Sequence, residues 1–587
     1  MRGVLKKYSI ILIVLIAAVL RLWKLDNIPP HLTPDEAALG YNAYSILKTG
    51  KDEYGEFLPI IFKSFGDYKP GLYVYLTVPF VAFFGLNEYT VRLPSAIFGI
   101  IAVYLIYKIV NLLMSYELPT ARLKKIAPSV LTHNIQTDGL LPTISALLLS
   151  ISPWHIQFSR GAWEANVSLT LTLAGIYFFL KSFKNSRFLI LASIYFSSTL
   201  AAYQGAKLAT LIVVFALVVA FWKEAKLLTV SSRRSLAGSM LIGILLSLPI
   251  ILSTFQGKTG RLNVFSVFSY PRPREYLQNF LNQGNEKVGD INYLFFHPET
   301  LNFARGIMGR WFNHFSGKFL FFEGDWPNPR HSAPNHGMTL LSDIFLLILG
   351  FIGLLKTKEQ KLRTFLLLWF VLAPFPAALS RDQVHAVRSF NMVVPLSLIT
   401  AFGVVEIIVR VRGVNKNPPI GWIRYAPVTL LIFGSLIYVL NYIYFLDSYF
   451  IHLSKHNSKV WSYGYKQIVE TLTPVQEKYE KIKVQQSFAQ PYIYFLFYQK
   501  YSPSKYQKQA NLVESQYRGD VGYIEKLDNI EFSAINWPLD LKDHESLIVG
   551  DYVEAPVQDI KDTSEFNLIR KIDYLNGERA FWIIEVR

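Results

Sequence analysis

Apolar residues fill this chain in long blocks, and short segments between the blocks carry much of its charge. A membrane-crossing helix needs roughly 20 apolar residues, and eleven blocks approach that length. They lie at 8–22, 94–114, 139–153, 164–182, 188–203, 206–222, 236–255, 339–355, 364–380, 388–409 and 425–446. Three intervening segments are too long and too mixed to be connectors: 23–93, 256–338 and the tail from 447. The tail combines helical stretches (459–480, 491–507) with β-type runs at 481–487, 546–551 and 581–586. That mixture predicts a small α/β domain. No internal repeat is visible, which weakens an inverted-repeat transporter reading.

Composition points the same way. The chain has 587 residues, of which 51% are hydrophobic and only 17% charged. A soluble protein of this size cannot bury that much apolar surface. There is no cysteine, so disulfides, thiolate metal sites and cysteine nucleophiles are excluded. The net charge of +17 is uneven: residues 1–450 hold 42 Lys and Arg against 23 Asp and Glu, and the tail holds 17 against 19. The cations sit between apolar blocks rather than in a stripe that could track phosphates, so nucleic acid is not an expected partner.

The same cations fix the sidedness. If 71–86 (GLYVYLTVPFVAFFGL) is re-entrant or interfacial, one set of connections carries 21 Lys and Arg, among them Arg122, Lys124, Lys125 and Arg424. The short connections on the other side keep four: Arg160, Lys207, Arg381 and Arg388. By the positive-inside rule the N-terminus is cytoplasmic and the tail extracytoplasmic, in a multi-pass protein of the cell membrane. The block 8–22 lacks a small-residue cleavage site and reads as an anchor rather than a signal peptide. The expected division is a transmembrane domain 1–446, with outer loops 23–93 and 256–338, and an extracytoplasmic domain 447–587.

Candidate chemistry collects in the outer segments. Asp35 and Glu36 follow a proline and open AALGYNAYSILK, a plausible amphipathic helix whose dipole favours ionised carboxylates. A plain helix cap would explain such a pair equally well. The second element, Gly66-Asp67-Tyr68-Lys69-Pro70, brings an acid and a cation to where the chain returns to the membrane. Charges there cost desolvation unless they are paired or used. Further outer-face polar groups are His155, Arg160 and Glu164, then Tyr203, Gln204 and Lys207, then Asp382, His385 and Arg388. Each alone is weak, because Arg and Trp at span ends commonly anchor at the interface. Together they could wrap an anionic headgroup.

At these residues the chain resembles the C superfamily of lipid-sugar-dependent glycosyltransferases (GT-C). It is most similar to the dolichyl-phosphate-mannose protein mannosyltransferases and the aminoarabinose transferases that modify lipid A. The resemblance rests on Asp35-Glu36, on Asp67-Tyr68-Lys69-Pro70-Gly71, and on Val91-Arg92-Leu93-Pro94-Ser95. It covers residues 8–210 well and the tail hardly at all. It implies a helical GT-C fold, a polyprenyl-phosphate sugar donor and an acceptor hydroxyl on a glycolipid, glycan or protein. Asp35, with Glu36 beside it, takes the place of the catalytic acids, and Asp35 that of the general base. Lys69 takes the place of the donor-phosphate contact, with Arg92, Arg160, Lys207 and Arg388 as further candidates. Asp67, Tyr68, His155, Glu164, Tyr203, Gln204 and His385 are expected in the substrate pocket. Glu164 and Gly71 depart from the family pattern, which more often has Asp and Pro. No cofactor is certain; a divalent metal stays open, with Asp35, Asp67 and Glu164 as candidate ligands.

Two other classes compete. A flippase or transporter would place ionisable groups at the bilayer midplane, where Glu406 is the one clear exception and lies toward the inner end. A lipid-linked oligosaccharide ligase would rely on His385 and Arg388 and leave Asp35 dispensable.

Overall fold

The computed structural model describes residues 2–116, 139–258, 262–416, 426–487, 489–514, 521–557 and 564–587. Arg122, Lys124, Lys125 and Arg424 therefore lie outside the described residues. All eleven apolar blocks are helical over most of their length. Five helical stretches are long and apolar enough to cross a membrane unaided: Glu88–Met114, Arg233–Ser253, Gln360–Ala378, Phe390–Val411 and Val428–His456. Ala206–Ala220 and Trp222–Leu228 would make a sixth, but the pair is bent by 93°. Shorter apolar stretches, among them Leu72–Phe84, Leu140–Ile151 and Phe188–Ala202, hold 12–15 residues, so at 1.5 Å per residue they reach roughly 20 Å of a 30 Å hydrocarbon layer. Breaks cause the shortening. α5 (Leu140–Ile151), for instance, stops where Ser152 caps a new helix, α6 (Pro153–Arg160).

The helices Arg233–Ser253 and Val428–His456 are apolar yet almost wholly unburied, as lipid-facing helices are. Inner helices pack on small residues. A Cβ on Gly350 would lie 1.9 Å from the Ile399 carbonyl oxygen, and one on Gly403 would lie 2.0 Å from that of Leu346. Only glycine lets Asp343–Lys356 and Val393–Lys416 approach so closely.

The first long segment between apolar helices follows α1 (Arg2–Leu22) and contains α2 (Pro34–Thr49), a hairpin of β1 (Ile61–Ser64) and β2 (Asp67–Pro70), and α3 (Leu72–Phe84). The stretch expected to be re-entrant or interfacial is α3, only 13 residues long with Pro79 inside it. α4 (Glu88–Tyr116) then enters the bundle.

The tail builds a six-stranded mixed sheet in the order Lys526–Leu527, Ile530–Ser533, Lys481–Gln485, Ser546–Asp551, Arg579–Val586, Phe566–Asp573. Three of those strands match the expected β runs. The edge strand Phe566–Asp573 was not expected, because its middle residues are exposed and show no apolar alternation. The tail does not bury its core alone. Ala37, Tyr41, Phe62, Tyr73 and Val91 share one apolar cluster with Ile468, Tyr494, Phe497, Ile530 and Ile583. His31 pins the junction: Nδ1 donates to the Leu32 carbonyl (2.8 Å), and Nε2 accepts the Lys466 backbone N–H (3.2 Å). Burial lowers its pKa to about 4, which keeps the ring neutral for that acceptor role.

Candidate active site

Helix α2 sorts the two acids into different jobs. Thr33 is its N-cap and Pro34 fills the first helical position, so Asp35 is second and Glu36 third. Glu36 closes a capping box: the Thr33 hydroxyl accepts the Glu36 N–H (3.3 Å), and Glu36 Oε2 accepts the Thr33 N–H (2.9 Å). Glu36 Oε1 also accepts the Ala162 N–H (2.9 Å) and Arg92 Nε–H (3.0 Å), and Oε2 accepts a longer bond from Arg92 Nη2 (3.4 Å). The carboxylate is buried and its oxygens are occupied. Glu36 is thus a structural residue, contrary to its expected place among the catalytic acids.

Three further expectations change for the same reason. Arg92 is fully buried, and all five of its N–H bonds are spent, on Glu36 and on the carbonyls of Leu25, Pro29 and His31. No donor remains for a phosphate. Arg160 is also fully buried, donates to the carbonyls of Leu20, Trp23 and Ile28, and lies over the Phe450 ring (4.8 Å). His155 is sealed in the bundle, where its Nδ1 meets the Arg21 guanidinium at 2.6 Å and its ring stacks on Phe390. Arg92 and Arg160 fasten the turn that follows α1, and His155 is tied to α1 itself through Arg21.

Asp35 points the other way. Its side chain is 60% exposed and ion-paired with the Lys69 ammonium. The hairpin sets this meeting. Phe65 and Gly66 both have positive φ (54° and 78°), as a tight two-residue turn between antiparallel strands requires. Strand alternation then puts Asp67 and Lys69 on one face and Tyr68 on the other, so Tyr68 does not join the pair. Gly71 has a local cause as well. Its N–H donates to the Ile60 carbonyl (2.9 Å), which proline could not do, and a Cβ there would lie 2.4 Å from the Phe62 ring.

Glu164, at the start of α7 (Glu164–Ser182), acts on the same ammonium as Asp35 and Asp67. Burial alone would lower the Lys69 pKa, but these three carboxylates outweigh it and hold it above the usual lysine range. An ammonium therefore sits among the three acids that were the open candidates for holding a metal. Asp35, Asp67 and Glu164 are not among the described residues whose ligand atoms cluster tightly enough for one. A crevice of about 10 Å³, lined by Asp35, Leu39, Asn42, Phe62 and Ser64, lies beside Lys69.

The remaining candidates form a neighbouring group. Tyr203 and Gln204 lie in the turn between α8 (Phe188–Ala202) and α9 (Ala206–Ala220), and Lys207 is in the first turn of α9. Tyr203 is in electrostatic range of both Glu164 and Arg388, which links this group to Lys69. Arg388 pairs with Asp382 (2.7 Å) over the Phe265 ring (4.6 Å). His385 approaches His331, with ring centroids 5.2 Å apart.

Sequence reasoning missed Glu53, although KDEYGEF is visibly acidic. Glu53 is fully buried, its Oε1 accepts from Asn42 Nδ2 (3.1 Å), and its N–H donates to Asn42 Oδ1 (3.0 Å). Burial raises its pKa from 4.5 to about 8. The folded state therefore holds a proton that the unfolded chain releases near pH 4.5. Its contribution is full below that pH and is lost as pH climbs to about 8. Glu53→Gln, which mimics the protonated form, should flatten this decline and raise stability at pH 8 by a few kcal/mol as an order of magnitude. Thermal unfolding of both proteins at pH 5 and pH 8 checks it; an equal pH slope in the two contradicts it.

No protein-family model and no curated protein matches the chain. Among solved structures it is similar to ArnT from Cupriavidus metallidurans bound to undecaprenyl phosphate. The TM-score is 0.50 at 12% identity, covering 98% of this chain and 97% of that one. The same protein in the apo state gives 0.48 at 11% identity, covering 98% and 97%. The Archaeoglobus fulgidus oligosaccharyltransferase tethered with an acceptor peptide gives 0.45 at 14%, covering 84% of this chain and 62% of that one. The chain shares the overall fold of that ArnT structure over nearly its whole length.

Proposed function

We propose that this chain transfers a sugar from a polyprenyl-phosphate donor to an acceptor hydroxyl at the extracytoplasmic face of the membrane, by a single inverting displacement. The observation that carries this reading is the contact between exposed Asp35 and Lys69 beside a crevice, at the end of an apolar bundle. A fold shared with a protein whose structure holds undecaprenyl phosphate supports the donor class.

The chemistry follows from the pair. An incoming phosphate competes with Asp35 for the Lys69 ammonium, and moving the ammonium onto phosphate frees the carboxylate. Asp35 then takes the proton from the acceptor hydroxyl as that oxygen attacks the anomeric carbon. The bond from that carbon to the phosphate oxygen breaks, and the lipid phosphate leaves as an anion. A phosphate leaving group needs charge stabilisation more than protonation, and Lys69 supplies it, with Arg388 and Lys207 proposed as further contacts. A Lys acts here as a point charge, whereas an Arg adds bidentate contact. The apolar helices hold the prenyl chain within the bilayer, so donor and enzyme share one phase.

One observation weighs against a transporter. Glu406, the acid expected inside a span, pairs with Arg410 one turn along the same helix (3.0 Å). It is not an isolated charge at the midplane.

The test is to purify the protein with its lipids and identify what it retains by mass spectrometry. A polyprenyl-phosphate monosaccharide is expected. Lys69→Ala should weaken its retention by about 10–100-fold, as expected for losing a charge-assisted phosphate contact. If Lys69→Ala altered acceptor affinity and left the lipid in place, the phosphate role would be wrong.

A further inference from the structure

We infer that Asp325, His331 and His385 form a binding site for a divalent transition metal of the zinc class, separate from the Asp35–Lys69 pair. The inference does not depend on the glycosyl-transfer reading. One ligand atom from each residue lies within 4.8 Å of the others, and the residues come from two segments about 60 positions apart. The carboxylate is fully buried and His331 nearly so.

A carboxylate this deep needs a positive charge close by. The neighbouring cation, Arg388, is paired with Asp382. Asp325 Oδ2 instead accepts from His331 Nδ1 (2.7 Å) and from the Ala386 N–H (2.7 Å), and Oδ1 accepts from Asn328 Nδ2 (2.9 Å). Two imidazoles and one carboxylate suit zinc-like ions; magnesium and calcium favour all-oxygen sets.

Around the ligands is a supporting shell of the kind metal sites use. The Ala386 N–H and the Asn328 amide orient the carboxylate. His314 Nε2 accepts the His385 backbone N–H (3.1 Å), and its own Nδ1 is held by the Arg310 carbonyl (2.7 Å). Asp325 forms part of the wall of an open cleft of about 350 Å³ shared with Glu323, Trp326 and Asn335. Binding through His331 Nδ1 would put the ion in place of the proton shared with Asp325, and that proton would move to Nε2 as the ring changes tautomer. The ion would tie the 318–340 segment to the turn that carries Arg388 and so fix where that guanidinium points.

The experiment loads the full-length protein, stripped with EDTA, with zinc chloride, and counts bound metal after gel filtration. The wild type should retain about one zinc per chain. Asp325→Asn, His331→Ala and His385→Ala should each lose most of it. His297→Ala, which alters a separate His–Glu pair, should lose none. Cobalt(II) loaded into the wild type should show visible absorption bands that depend on imidazole ligation and vanish when zinc is added. That spectrum decides the matter even where a variant fails to fold. A wild type that retains no zinc and shows no such cobalt bands overturns the assignment, as does full zinc retention by the three variants.

Discussion

Asp35→Asn is expected to reduce glycosyl transfer by about 10²–10⁴-fold, the range a positioned general base contributes, while leaving the protein folded. Folding should survive because the Asp35 side chain is mostly exposed and the start of α2 is fastened by Thr33 and Glu36 instead. Asparagine keeps the size and some of the hydrogen bonding of aspartate but cannot take a proton. The variant should also still retain donor, because Lys69 stays in place with Asp67 and Glu164 around it. Initial rates with saturating donor and acceptor give the result. Turnover close to wild type would remove Asp35 from the mechanism.

The second large effect is on stability. Arg92→Met should destabilise the protein by about 3–5 kcal/mol, because it leaves the buried Glu36 carboxylate without its cation. It also strips hydrogen bonds from the carbonyls of Leu25, Pro29 and His31, which shape the turn before α2. Combining it with Glu36→Gln should recover part of the loss, since the stranded charge is then gone. Thermal unfolding of the single and double variants separates this from the phosphate-contact role that the sequence suggested for Arg92. A single variant of normal stability that had lost donor would restore that role.

The two acids of Asp35-Glu36 show how far the sequence could be read. Both stood out in the sequence, but the split between them did not. One helical position separates a carboxylate folded back onto the cap from one that points outward. Thr33-Pro34-Asp35-Glu36 carries the capping-box spacing, so the structural role of Glu36 was in principle visible. Order along the chain puts Asp35 and Lys69 in one segment, but only the fold shows that their side chains touch.

The buried arginines were not legible. Arg92 and Arg160 stand at span ends, where phosphate contact and interfacial anchoring are the usual readings. Their true partners are backbone carbonyls of residues 20–31, and only the folded turn shows that. The tail was read as a separate domain because its charge balance changes there. Its helix Pro491–Tyr498 is buried nearly all round, between α2 and the tail sheet. A helix apolar on every side asks for two partners, and PYIYFLFY carries that signal without naming them. His331 and Asp325 escaped notice because a lone histidine and a lone acid are unremarkable until His385 is brought beside them.

Transfer itself gives the most direct test. The protein is reconstituted in lipid bilayers with polyprenyl-phosphate monosaccharides, and the prenyl phosphate released is measured by mass spectrometry. The account predicts acceptor-dependent release by the wild type, and its loss in Asp35→Asn with donor still bound. A protein that leaves every such lipid intact, or consumes only pyrophosphate-linked oligosaccharides, would contradict it.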